Sequence, residues 1–270
     1  MANAYEPPAP DYRLDSFQAA TAQIEDDFAS VTLSDDLFVP FSEHHSADGR
    51  DSYLLLYDRS AIWDIPGAAE YVTLHITRDV EQRTFDFTSE RHPVVPLAQN
   101  WLIRRGCPQE AVEASPGRGP RPADALTARL EGLLRANPGN RYEVLDHYTD
   151  NPSSFDVGVE VRTLVQDSHP DSADAPYRLF LEETTKDMRT YTVREGAFAS
   201  AEEADTWMVE RDSPLPLAPS PPDTVGRRAA AARARSTING DGNGLAVAPA
   251  PVSPPRSTAP APPHSRRSAR

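Results

Sequence analysis

A duplication constrains this chain more than any other feature of its sequence. Shifted by 106 positions, Arg83-Thr84-Phe85 falls on Arg189-Thr190-Tyr191. The same shift carries Ala98 onto Ala204, Trp101 onto Trp207, Leu102 onto Met208, Ile103 onto Val209 and Arg105 onto Arg211. Upstream it sets Ala19, Thr21, Ala22 and Glu25 on Ala125, Thr127, Ala128 and Glu131, and Tyr71 on Tyr177, with no gap between residues 15 and 211. A period this long implies a duplicated domain or half-domain, not a solenoid of short repeats.

Each copy reads as α-β-β-β-β-α. In the first, Phe17, Thr21, Ile24, Phe28 and Val31 recur at steps of three and four and predict a helix over 15–31, with Asp15 and Gln18 at capping-box spacing. In the second, Ala123, Leu126, Leu130, Leu133 and Leu134 predict one over 122–136, entered at Pro122 and ended by Asn137-Pro138-Gly139. Strands are expected at 37–41, 53–57, 71–77 and 84–88, then at 142–148, 157–165, 177–182 and 190–194. Turn-forming clusters such as Ser46-Ala47-Asp48-Gly49, Ile65-Pro66-Gly67 and Asn151-Pro152-Ser153 separate them. Closing helices follow at 96–105, with Gly106 as its stop, and at 201–211, with Ser200 and Glu203 as capping box. The fold class is therefore α+β: two repeats, each an antiparallel sheet with helices packed on one face. Residues 1–13 read as a disordered lead-in, 14–106 as the first repeat, 107–120 as linker, 121–212 as the second repeat and 213–270 as a disordered tail.

One strand resists the alignment. Val72, Leu74 and Ile76 form an apolar face in the first copy, but the shift sets Arg178, Phe180 and Glu182 against them, and Leu179 and Leu181 fall on the other face. A change of phase by one residue exchanges the two faces of a strand. Either a compensated bulge sits there or the duplication is incomplete.

Charge divides the chain at the tail. Residues 213–270 hold twelve of the 27 prolines, no aromatic residue, eight Arg and two Asp. The rest carries 19 basic and 39 acidic residues, a net charge of −20. Such a body repels phosphate backbones, so nucleic acid is not expected on it, and the tail's Arg227-Arg228 and Arg266-Arg267 pairs support only weak, salt-sensitive contact. Cys107 is the only cysteine, which excludes a disulfide framework and a cysteine-based metal site. With no basic, apolar leader and no apolar run near membrane length, a cytoplasmic protein without a membrane partner is expected.

No motif fixes a reaction, cofactor or metal. His75 and Asp86 are the candidate catalytic pair: if the third and fourth strands close symmetrically across residues 78–83, they face each other, as a general base and its orienter would. No Ser or Cys is placed as their nucleophile, and an ordinary cross-strand pair gives the same pattern. Glu43-His44-His45 with Asp48 and Asp51 offers metal donors, and His169 lies between Asp167 and Asp171, but neither has a ligand motif's spacing. Asp64, Asp86, Glu160, Glu182 and Glu183 could supply a carboxylate pair, with nothing to single one out. Gly117-Arg118-Gly119-Pro120 lacks the ending of a phosphate loop and reads as linker. Tyr53-Leu54-Leu55-Leu56-Tyr57 is apolar on both faces, so the other copy or a partner protein is expected to cover it. These features favour a binding or accessory protein with a protein partner. The alternatives are a hydrolase in a cleft between the repeats, using His75 with Asp86 or a carboxylate pair, and weak nucleic-acid association through the tail.

Overall fold

A computed structural model describes residues 8–61, 69–113, 119–150 and 158–218. Most of the expected tail lies outside them, as do most of the lead-in, Asp64, Gly117, Arg118 and the clusters at Ile65-Pro66-Gly67 and Asn151-Pro152-Ser153. The chain is α+β with two similar halves. In the first, β1 (Gln18–Ala19) and α1 (Ala22–Val31) precede β2 (Phe38–His45), β3 (Asp51–Asp58), β4 (Tyr71–Asp79), β5 (Thr84–His92) and α2 (Val95–Arg104). In the second, β6 (Arg121–Pro122) and α3 (Ala125–Ala136) precede β7 (Tyr142–Asp150), β8 (Glu160–Asp167), β9 (Tyr177–Thr184), β10 (Thr190–Phe198) and α4 (Ala201–Glu210). The sheets run β1-β5-β4-β3-β2 and β6-β10-β9-β8-β7. Both are antiparallel meanders with one short parallel strand at the edge, so each is mixed rather than purely antiparallel.

The duplication is real, but it needs gaps. From β4 to α4 the offset of 106 holds: Tyr71 pairs with His92 as Tyr177 pairs with Phe198. On both closing helices an arginine one turn on lies over the tryptophan ring, Arg105 on Trp101 and Arg211 on Trp207. At the first helices the offset is 103, because Thr21 and Asp124 are the equivalent N-caps, accepting from the Ile24 and Thr127 N–H groups. The Thr21–Thr127 and Glu25–Glu131 identities are therefore coincidental. Both helices start later than their patterns predict, since residues 18–19 and 121–122 are held as strands beside β5 and β10. At β2 and β7 the offset is 104, and both strands bulge at the same place, at Phe41 and Leu145. At β3 and β8 it is 109: buried Asp58 and Asp167 end these strands and donate N–H groups to Glu70 and Pro176 carbonyls.

The helices cover both faces of each sheet, not one. In the first half α1 lays Ile24, Phe28 and Val31 on Leu54, Leu56, Val72, Leu74 and Ile76. On the opposite face Ala98, Trp101 and Leu102 of α2 meet Tyr53 and Leu55. The continuous apolar run 53–57 is thus covered by helices of its own half. In the second half α3 packs on Val161, Val165 and Phe180, and α4 on Leu164 and Leu179. The halves share a core, for Val94 and Leu97 join the cluster under α3. Asn100 Nδ2 donates to the Arg135 carbonyl at 2.8 Å, and Arg135 Nε to Gln99 Oε1 at 2.6 Å.

Two boundaries shift. Tyr12, expected in the lead-in, sets its ring edge-on to Phe28 with centroids 5.5 Å apart. Leu215, expected in the tail, packs with Phe198 and Trp207.

Candidate functional site

The structural equivalences resolve the strand that resisted alignment. No bulge separates β4 from β9; the two strands keep one phase. What differs is chemistry. On the face toward the first helix, Val72, Leu74 and Ile76 become Arg178, Phe180 and Glu182. On the helix itself, Phe28 becomes Glu131, and on the next strand Phe85 becomes Tyr191. In the first half Phe28 stacks edge-on against Phe85 and Phe87, with centroids 5.3 and 5.2 Å apart. In the second, the Tyr191 hydroxyl donates to Glu131 Oε1 instead. An aromatic pair has been exchanged for a phenol–carboxyl pair inside the same architecture.

Glu131 and Glu182 gather with a third acid from the first half. Glu70, just before β4, is only 4% exposed. Among the described residues its Oε1 has no hydrogen-bond partner; the nearby Thr149 hydroxyl counters part of the burial effect on this carboxyl without forming an aligned hydrogen bond. Burial pushes Glu70 and Glu131 up to about 7. Glu182 rises to about 8, through burial first and then repulsion from Glu131 and Glu70. The Tyr71 phenol, desolvated and facing all three carboxyls, is pushed well above its ordinary value. Tyr71 pairs with Tyr57 across β3 and β4, and Phe41 completes the aromatic wall with its ring 5.5 Å from that of Tyr71. Glu182 and Tyr71 are only half-buried. The cluster therefore combines low polarity with solvent contact, a setting in which carboxyls stay protonated near neutral pH.

A second polar network is held by paired charges, although the Arg178 Nε and Nη1 donors find no hydrogen-bond partner among the described residues. Arg141 forks onto Asp167 at 2.7 and 2.6 Å, Ser172 donates to Asp167 at 2.6 Å, and fully buried Arg178 donates to Ser172 at 2.9 Å. Burial alone would raise Asp167, but these donors outweigh it and hold the carboxyl at about 2. This is a paired, structural ion network.

The residues singled out in the sequence are placed differently. The turn between β4 and β5 runs from Asp79 to Thr84, not from 78 to 83, so the register moves by two residues and His75 faces Thr88. Asp86 lies opposite Thr77, exposed, and accepts its neighbour's N–H. The acid on His75 is Asp51, with Oδ1 at 2.9 Å from Nε2, and the imidazole stacks flat on Tyr53 with centroids 4.5 Å apart. Glu43-His44-His45 belongs to β2, not a loop; His44 stacks toward Tyr53 and His45 bonds Ser52. Among the described residues no group of three or more acidic, His or Cys side chains is poised to hold a metal. His169 sits in a turn closed by Asp167 Oδ1 and the Asp171 N–H. Glu160 is taken by Arg162 and Arg211. Cys107 is buried, and burial pushes its thiol up to about 12, which leaves it unreactive. Among the described residues no helix is long and apolar enough to cross a membrane.

Compared with protein-family models, curated proteins and solved structures, the chain matches none.

Proposed function

We propose that the chain is a protein-binding module that recognises a basic side chain through Glu131 and Glu182 of the second half and Glu70 of the first. The observation that carries this reading is the Glu70 carboxyl, nine-tenths buried with an oxygen unpartnered among the described residues, beside two further acids that burial raises and a wall of tyrosines. Carboxyls raised by burial, and in Glu182 also by repulsion from its two neighbours, gain from an arriving cation, which offsets these costs and lets them ionise. Tyr57 and Tyr71 supply ring faces suited to a guanidinium or ammonium group. The net charge of −20 outside the tail draws basic partners over longer range.

Hydrolysis by a carboxylate pair has less support. That chemistry pairs one protonated acid with one ionised one, and here all three are shifted the same way. Glu182 has the character of a general acid, but the cluster holds no low-pKa partner for it.

Binding should therefore release protons. Titration of the full chain with a tetra-arginine peptide, by calorimetry in two buffers of different ionisation enthalpy, should show net release near pH 7 and tighter binding toward pH 8. Glu131→Gln with Glu182→Gln should cut the release to the part that Glu70 alone contributes. Binding without proton release, or release unchanged in the double variant, contradicts the reading.

A further inference from the structure

The first half fills, with its own chain, a groove that the described residues of the second half leave open. Tyr148, Arg162, Leu164, Asp205, Met208 and Val209 line an opening of about 220 Å³ between β7, β8 and α4. They stand where the first half has His44, Tyr53, Leu55, Gln99, Leu102 and Ile103. There the segment after α2 folds back, and Cys107 and Val112 are buried among Tyr53, Leu55, Trp101 and Leu102. Gln99 Nε2 pins it by donating to the Val112 carbonyl at 2.8 Å, and the Cys107 N–H donates to the Leu102 carbonyl at 3.1 Å. Gly106, at φ +103°, makes the reversal possible; a Cβ there would lie 3.1 Å from the Tyr53 hydroxyl.

After α4 the chain takes another course. Arg211 adopts the left-handed conformation, Leu215 packs with Phe198, and the Ala197 N–H donates to the Pro216 carbonyl. The groove keeps its apolar wall, with Tyr148 42% and Val209 85% exposed, and among the described residues no segment of the chain lies in it.

We propose that this groove binds a short segment of a partner protein, with small apolar side chains flanked by Arg or Lys. The small side chains follow from the sister groove, which accepts Cys, Ala and Val. The basic flanks follow from two exchanges. Asp205 replaces Gln99, so the group that grips the occupant changes from an amide donor to an acceptor-only carboxylate. Asp146, also on the groove, replaces Ser42. The one cation in the lining, Arg162, is committed to Glu160 at 2.5 Å and lies over the Tyr148 ring. Carboxylates facing an apolar slot select donors carrying positive charge.

The groove lies on the opposite face of the sheet from Glu131 and Glu182, so its test does not depend on their role. The probe is a blocked peptide copying residues 107–112 with Cys107→Ala, Gln109→Arg and Glu110→Arg; the control carries Glu at both central positions. The basic probe should shift the methyl resonances of Met208, Leu164 and Val209 and leave those of Leu130 and Val193 unmoved. Asp205→Asn should weaken it about tenfold, as expected for loss of a charged hydrogen bond. Val209→Arg, at an exposed position that does not threaten folding, should abolish it. Equal shifts with both peptides, no shifts with the basic one, shifts confined to Leu130 and Val193, or affinity unchanged by Asp205→Asn would each overturn the proposal.

Discussion

The two halves share one architecture and differ in what they bury. The first packs Phe28, Phe85, Val72 and Ile76 into an apolar layer under α1. The second places Glu131, Tyr191, Arg178 and Glu182 at the same positions under α3. Each half thus acts as a control for the other: the fold tolerates a dry core there, so the second half's polar core is not an architectural necessity. Burying a carboxyl costs free energy unless it is paired or protonated. Arg178 is partly compensated by its hydrogen bond to Ser172 and its place beside Asp167, whereas burial shifts Glu70, Glu131 and Glu182 toward their protonated forms.

The comparison is broken most severely by moving an acid into the first half. Ile76→Glu, at a fully buried position with no partner, should cost about 3–5 kcal/mol and leave the chain largely unfolded at neutral pH, as an uncompensated buried charge does. A normal urea midpoint would show that the first half's core is more adaptable than its packing implies. Trp101→Ala should come next, at about 3–5 kcal/mol, as for other large core truncations. Trp101 is buried and its indole donates to Glu90 Oε2, whereas Trp207 is half-buried and donates to the Ser213 carbonyl. Trp207→Ala should therefore cost clearly less. Equal losses in chemical denaturation would mean that the closing helices are energetically equivalent.

The reverse exchange sharpens the contrast. Each of the three acids has a folded pKa above its unfolded value, so its stabilising contribution is full below about 4.5 and is lost as pH rises through about 7 to 8. The unfolding midpoint should fall over that window. Glu182→Ile, which restores the first half's residue, should raise stability at pH 8 and flatten this dependence. An unchanged pH profile would show that Glu182 is not a proton-loaded group. The smallest effect belongs to His75→Ala, about 0.2–1 kcal/mol for one cross-strand neighbour. A larger loss would make its stack on Tyr53 and its bond to Asp51 part of the core.

The element order was legible because it rests on apolar periodicity and on turn and capping residues, which act locally. Ser200 caps α4 through the Glu203 N–H, and Gly106 ends the first repeat in a conformation few other residues adopt. Helix placement was not, because a sequence shows which face of a strand is apolar but not what covers it; hence the attribution of 53–57 to the other copy. The site was visible only in disguise. Glu182 and Arg178 stand at apolar-phase positions, and a conflict that reads as an alignment fault marks the polar groups set against the core. Glu131 was hidden by a coincidental identity with Glu25, since the true partner, Phe28, appears only once a three-residue difference in offset is allowed. His75 and Asp86 were paired by assuming a turn two residues out of register, which a sequence does not fix.

The most direct test of a proton-loaded cluster formed by both halves is the titration of its three glutamates. With side-chain carboxyl carbons labelled and resonances assigned through Glu70→Gln, Glu131→Gln and Glu182→Gln, the carbon shifts can be followed from pH 4 to pH 9. Midpoints near 7 for Glu70 and Glu131 and near 8 for Glu182 are predicted, with the Glu182 midpoint falling when either neighbour is removed. Three independent titrations near the ordinary glutamate value of about 4.3 would contradict the account.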